Sequence, residues 1–301
     1  MIASMRYLLP ALLVLLLTAG SIQAQGSEIT DDRGKIIRLM APPQRIISLY
    51  GAMTEIVFAL GAGDRVVGVT AHESWPPEVR TLPRVGTHLN PNLEIILSLR
   101  PDLVLQGSVA RGGQRAVAEL EARGIPVAVF NPQSVPQVLE TIVRVGILVG
   151  KEDVARRLTT QMNQRLQRLE ATLRGIRSRP RVFFEVSYPT LLAAGKRHLV
   201  DDLITRAGGE NVIKAPRKFL RVDIELLLAL DPDVYIVQRG PMNRRPGQIS
   251  QRPYFSRLRA IRDGRVYIVD EFLFSRPGPR VIEALEELAR ILHPECFTEN
   301  P

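Results

Sequence analysis

The feature that most constrains this 301-residue chain is a stretch used twice. Asn92-Leu93-Glu94-Ile95-Ile96-Leu97-Ser98-Leu99-Arg100-Pro101-Asp102-Leu103-Val104-Leu105 and Asp223-Ile224-Glu225-Leu226-Leu227-Leu228-Ala229-Leu230-Asp231-Pro232-Asp233-Val234-Tyr235-Ile236 run in one register, Glu94 answering Glu225 and Pro101 answering Pro232. Each copy predicts a short amphipathic helix, stopped by a proline that cannot continue the helix hydrogen bonds, and then an apolar strand. One unit used twice predicts two similarly built α/β lobes.

The flanking segments alternate in the same way. In the first half, Arg45 to Leu49 reads as a strand, Met53 to Leu60 as a helix ended by Gly61, and Arg65 to Thr70 as a second strand. Ile125 to Phe130 and Pro136 to Val149 repeat that order. In the second half Arg181 to Val186, His198 to Ala207, Arg265 to Asp270 and Arg280 to Leu292 do the same, which predicts parallel sheets covered by helices. Between the halves, Val154, Leu158, Met162, Leu166, Leu169 and Leu173 recur at helical spacing and predict one long strut with a polar outer face. The expected boundaries are a leader over 1–24, a first lobe over 25–150, a connecting helix over 151–177 and a second lobe over 178–301.

The leader reading rests on Arg6, the apolar run from Tyr7 to Ala19 and the small-residue exit at Ala24, the pattern of a cleaved secretory signal. The run is shorter than the roughly 20 residues a spanning helix needs. Cys296 is the only cysteine, so no intramolecular disulfide forms and no cysteine stands at the cleavage point. A free periplasmic protein that is not a lipoprotein is therefore expected. A formal charge of +9 comes from arginines scattered among Asp and Glu, which argues against a nucleic-acid partner. Secreted enzymes are the rival class, yet no nucleophile elbow, phosphate loop or His-Glu-x-x-His stands in the sequence. Gly61-Ala62-Gly63-Asp64 lacks the third glycine of a dinucleotide loop.

Several motifs in this order carry a resemblance: Arg45-Ile46-Ile47-Ser48-Leu49 with Thr54-Glu55, Trp75-Pro76-Pro77, Val85-Gly86-Thr87, the two repeated blocks, Gly208-Gly209-Glu210-Asn211, and Arg276-Pro277-Gly278-Pro279-Arg280. Together they resemble the substrate-binding proteins of ABC importers for ferric siderophores, haem and vitamin B12. The resemblance implies an α/β fold of two Rossmann-like lobes with parallel sheets joined by a single long helix, and a ligand cleft between the lobes. It implies a non-enzymatic carrier, expected to be a monomer with no resident cofactor, that delivers a bulky metal chelate, cobalamin or a ferric siderophore, to a dimeric membrane permease. Haem is the alternative ligand, although Thr87 stands where haem binders of the family often carry Tyr. A bare metal ion is a third reading, with few histidines to hold it. A single stiff connecting helix implies modest lobe closure.

In open α/β sheets ligands lie beyond the carboxyl ends of the strands. That places Tyr50, His72, Trp75, Thr87, His88, Leu89, Gln106 and Ser108 on the first lobe's side of the cleft. Tyr188, Phe219, Arg239, Phe272, Phe274 and Arg276 belong to the second lobe's side. A flat chelate needs aromatic plates and scattered donors, so Trp75, Tyr50, Tyr188, Phe272 and Phe274 are candidate plates, each with ordinary core packing as its alternative. Arginines suit carboxylate, phosphate or hydroxamate oxygens. His72 and His88 are candidate hydrogen-bonding groups or ligands to a chelated metal. His198 and His293 fall at a helix start and end and read as surface or capping residues. The resemblance gives Glu94 and Glu225 the role of docking into the two halves of the permease, and paired carboxylates suit a two-fold symmetric partner.

Overall fold

The computed structural model describes residues 26–107 and 111–297. An antiparallel hairpin of β1 (Ser27–Thr30) and β2 (Ile36–Leu39) precedes the first lobe. Four parallel strands, β3 (Ile46–Ser48), β4 (Val66–Val69), β5 (Leu103–Gly107) and β6 (Val127–Phe130), then lie side by side in the order β4-β3-β5-β6. Helices α1 (Gly51–Ala59), α2 (Leu93–Ser98), α3 (Arg111–Ala122) and α4 (Val135–Leu148) connect and cover them.

The predicted strut is α5 (Glu152–Thr172), about 32 Å long at 1.5 Å per residue. It packs on α4 in the first lobe and on the last helix of the second, so it is half-sunk in the body of the molecule. Met162, Leu166 and Leu169 form its buried stripe.

The second lobe contains β7 (Arg181–Ser187), β8 (Leu192–Ala194), β9 (Glu210–Asn211), β10 (Phe219–Arg221), β11 (Val234–Arg239) and β12 (Val266–Asp270), in the order β10-β8-β7-β11-β12 with β9 beside β7. Strands β7, β11 and β12 are parallel. Strand β8 is antiparallel to β7, because a tight return after Ser187 leaves no room for a crossover helix, and β10 pairs antiparallel with β8 at the sheet edge. Helices α6 (Leu199–Arg206), α7 (Ile224–Leu230), α8 (Arg259–Arg262), α9 (Glu271–Phe274) and α10 (Val281–Leu292) complete it.

The repeated block folds the same way in both lobes, down to its hydrogen bonds. Asn92 and Asp223 cap α2 and α7 by accepting from the backbone N–H of Ile95 and Leu226. Each helix ends on a residue with positive φ, Arg100 at 46° and Asp231 at 35°, which turns the chain into the proline. The following aspartates then tie the helix exit to the start of the lobe's first strand. Asp102 accepts from Gln44 N–H and Arg45 N–H at 2.7 and 2.8 Å, and Asp233 accepts from Arg181 N–H at 2.8 Å. The arginines return the contact, Arg45 donating to the Leu99 carbonyl and Arg181 to that of Leu230.

The main apolar core is continuous from the first lobe through α4 and α5 into α6 and α10. Covered apolar area is the chief stabilising contribution to such a body.

Candidate functional site

A cavity of about 620 Å³ opens between the lobes, at the carboxyl ends of β3 to β6 on one side and around β10 and α9 on the other. Its walls carry the aromatic rings of Tyr50, Phe130, Phe219 and Phe272, with His72, Thr87, His88 and Leu89 from the first lobe and Arg197, His198, Lys218, Met242 and Arg276 from the second. A cavity of this size with apolar plates and a few polar groups fits a drug-sized ligand. A second, more polar groove of about 940 Å³ runs along α4 and α5 and shares Asn131, Gln133 and Arg197 with it.

One flank of the cleft is bridged by ions. Arg280 of the second lobe grips Glu55 of α1 through two bonds, Nε to Oε2 at 2.9 Å and Nη2 to Oε1 at 2.8 Å. Beside it Arg276 donates from Nη1 to Glu73 Oε2 at 3.1 Å. The Arg276 guanidinium lies 3.9 Å from the centre of the Phe272 ring. It also presses on α1 so closely that a Cβ at Gly51 would stand 2.3 Å from Nη1. The fork geometry of arginine on a carboxylate makes these directional contacts.

Several expected cleft residues are placed elsewhere. Trp75 is 45% exposed and outside the cavity, with the Arg280 guanidinium 5.1 Å from its ring centre. Tyr188 is no cleft plate: it packs edge-on to Phe255 and under Arg252, inside a satellite core of the second lobe. Phe274 is fully buried against Phe184, because the single turn of α9 points Phe272 into the cavity and Phe274 into the core. Arg239, at the end of β11, is exposed and does not line the cavity. Ser108 lies outside the described residues, as does the leader expected over 1–24. Tyr50, His72, His88, Phe219, Phe272 and Arg276 do meet around one space. Gln106 stands behind it, buried, donating to the His88 carbonyl at 3.2 Å.

His198 is the expected cap of α6, its Nδ1 accepting from Val200 N–H. It is not on the surface, however: it is 3% exposed and packs on Phe219. His293 is buried too, bonded to the Gly208 carbonyl. Pattern reading misses Lys218, Arg197, Met242 and Glu271, because strands as short as β8 and β10 leave no periodicity to mark the cavity rim. The basic pairs Lys196-Arg197 and Arg217-Lys218 are the signal that points there.

Burial pushes the Tyr50 hydroxyl up to about 12, so the ring is neutral. Burial, helped by Lys218, Arg276 and His72, lowers the His88 pKa and keeps a lone pair free on its imidazole. Burial takes His198 down to about 3. Desolvation raises Glu55 against the opposing pull of Arg280, and desolvation also raises Glu271. Although much of Lys218 is open to solvent, the cavity wall crowds its ammonium and lowers its pKa. Among the described residues no group of three or more His, Cys, Asp or Glu is placed to hold a metal ion.

Two α/β lobes, a helical strut and a cavity facing the strand ends define a substrate-binding protein. The family model described as "Periplasmic binding protein" matches residues 46–272, and the chain belongs to this family. It is 32% identical over 276 residues to the uncharacterized ABC transporter substrate-binding lipoprotein YvrC of Bacillus subtilis, covering 90% of this chain and 87% of that one. It is 28% identical to the vitamin B12-binding protein of Photorhabdus laumondii, covering 85% and 90%. The periplasmic heme-binding protein RhuT from Roseiflexus sp. RS-1 superposes with a TM-score of 0.76 at 30% identity, covering 84% of this chain and 99% of that one. The YvrC name corrects one expectation: a relative spanning nearly the whole chain is a lipoprotein, and the reading of a free, non-lipoprotein periplasmic chain is withdrawn.

Proposed function

We propose that this chain is the substrate-binding component of an ABC importer, a monomeric carrier without catalytic activity that captures a bulky metal chelate and delivers it to a membrane permease. The observation that carries the reading is the cavity between the lobes, which Tyr50, Phe219 and Phe272 line together with His72 and His88. Aromatic plates suit the faces of a corrin, porphyrin or siderophore complex, and imidazole nitrogens suit its polar groups or its metal. Cobalamin and ferric siderophores are the first candidates. Haem is the second reading, favoured by the likeness to the heme-binding RhuT. Calorimetric titration with cobalamin, haemin and a panel of ferric siderophores tests the proposal. Saturable binding of one chelate supports it, and uptake of free zinc or manganese in its place overturns it.

Delivery calls for a surface that a two-fold partner can read. Glu94 and Glu225 are exposed in the first turns of α2 and α7, and neither has an ion pair or side-chain hydrogen bond among the described residues. Each is followed by an exposed apolar residue, Ile95 and Leu226. An acidic group beside an apolar one, set in the same local frame on both lobes, suits two matching pockets on a symmetric permease.

A further inference from the structure

Beside the cavity, two dibasic segments are held together by the backbone. Gly195 N–H donates to the Lys218 carbonyl at 3.0 Å, Lys196 N–H to that of Ala215 at 3.0 Å, and Arg197 N–H to that of Arg217 at 3.1 Å. The approach is so close that a Cβ at Gly195 would stand 2.3 Å from the Arg217 carbonyl oxygen. Four cations are thereby gathered on one platform, and their partners differ. Lys196 is paired with Asp201. Arg197, Arg217 and Lys218 have no carboxylate partner among the described residues. The cavity's own carboxylates are engaged elsewhere, Glu73 by Arg276 and Glu271 by the Met242 N–H. Of the three unpaired cations, Arg197 and Lys218 line the cavity, and Arg197 also lines the polar groove beside it.

Ordinary surface cations are dispersed and solvated, and their spacing avoids mutual repulsion. Here the fold brings like charges together at the mouth of a cavity and leaves them uncompensated. We propose that Arg197 and Lys218 form an oxyanion subsite that takes a carboxylate or phosphate arm of the chelate where it leaves the central cavity for the groove. Arg276, which the sequence suggested for this role, is occupied by the inter-lobe contact. The subsite rests on the reading of the cavity as a chelate site, and it assigns a charge to the cargo: an anionic periphery around a flat body.

The test uses haemin against haemin dimethyl ester, a pair that differs in its propionate charges, with cobalamin, cobinamide, ferric citrate and ferrichrome as further chelate probes. Each is titrated by calorimetry into the wild-type protein and into the Arg197→Met, Lys218→Met double variant, with melting temperatures to establish that both are folded. Removing one charge-assisted hydrogen bond weakens binding of the anionic probe on the order of 10- to 100-fold per residue. The expected result is that the anionic member of the pair binds more tightly to the wild type and that the difference collapses in the variant. Equal binding of both members, or a difference that survives in the variant, overturns the subsite and leaves the carrier reading standing. Binding of no probe at all overturns the carrier reading and the subsite with it.

Discussion

Arg280 and Glu55 are joined through two bonds, 2.9 and 2.8 Å long, that cross from one lobe to the other. Glu55 is nearly buried, so the pair is worth most for what its rupture would leave behind. Replacing Arg280 with Met leaves a desolvated carboxylate whose remaining cation, Arg276, stands 3.8 Å away, and we expect a loss of at most about 3 kcal/mol in chemical denaturation. The double variant Glu55→Gln, Arg280→Met is expected to regain part of it. Unchanged stability in the single variant would show that the contact contributes nothing.

Substituting Glu94 and Glu225 together with Ala is expected to abolish uptake in a reconstituted importer while leaving chelate affinity within about twofold. Both side chains are exposed and away from the cavity. A fall in affinity comparable to the fall in uptake would place them in ligand binding instead.

His198 gives a pH dependence of known sign. Its folded pKa of about 3 lies below the unfolded value near 6.5, so between these limits the unfolded chain binds a proton that the native one refuses. Its contribution is present above pH ~6.5 and lost as pH falls toward ~3, by at most about 1.4 kcal/mol per pH unit. His198→Asn keeps an acceptor for the Val200 N–H and removes the titration. Denaturation midpoints between pH 6.5 and 4 are expected to fall less steeply in the variant, and identical slopes would refute the assignment.

A second buried ion pair holds the loop that brings Met242 to the cavity. Glu185 is fully buried and accepts from Tyr235 Oη at 2.6 Å, Asn243 Nδ2 at 3.0 Å and Arg252 Nη2 at 3.0 Å. Arg252→Met is expected to destabilise the protein by about 3–5 kcal/mol, because it leaves that carboxylate buried with no cation. Hydrogen exchange is expected to accelerate over residues 240–255. An exchange rate unchanged there would separate the pair from the loop.

Much of the fold was legible because it is written in local chemistry. The repeated helix–proline–strand block announced two lobes, and the stripe from Val154 to Leu173 announced the strut. The cavity was legible where it follows strand ends, as at Tyr50, His72 and Phe272. It was illegible where side-chain direction decides. Phe272 and Phe274 share one turn of helix and go opposite ways, and Tyr188 follows a strand yet turns into the lobe. The clasp between Glu55 and Arg280 joins residues far apart in the chain, which no spacing rule connects.

The position of Trp75 changes what an optical experiment on this protein reports. The chain's single tryptophan sits on the clasp, against Arg280, and not on the cavity wall. Once absorption of its light by a coloured ligand is corrected for, its emission is a gauge of how the lobes meet. A colourless analogue that fills the cavity without moving them is expected to leave that emission dark to its presence, whereas opening the clasp in an empty protein is expected to shift it.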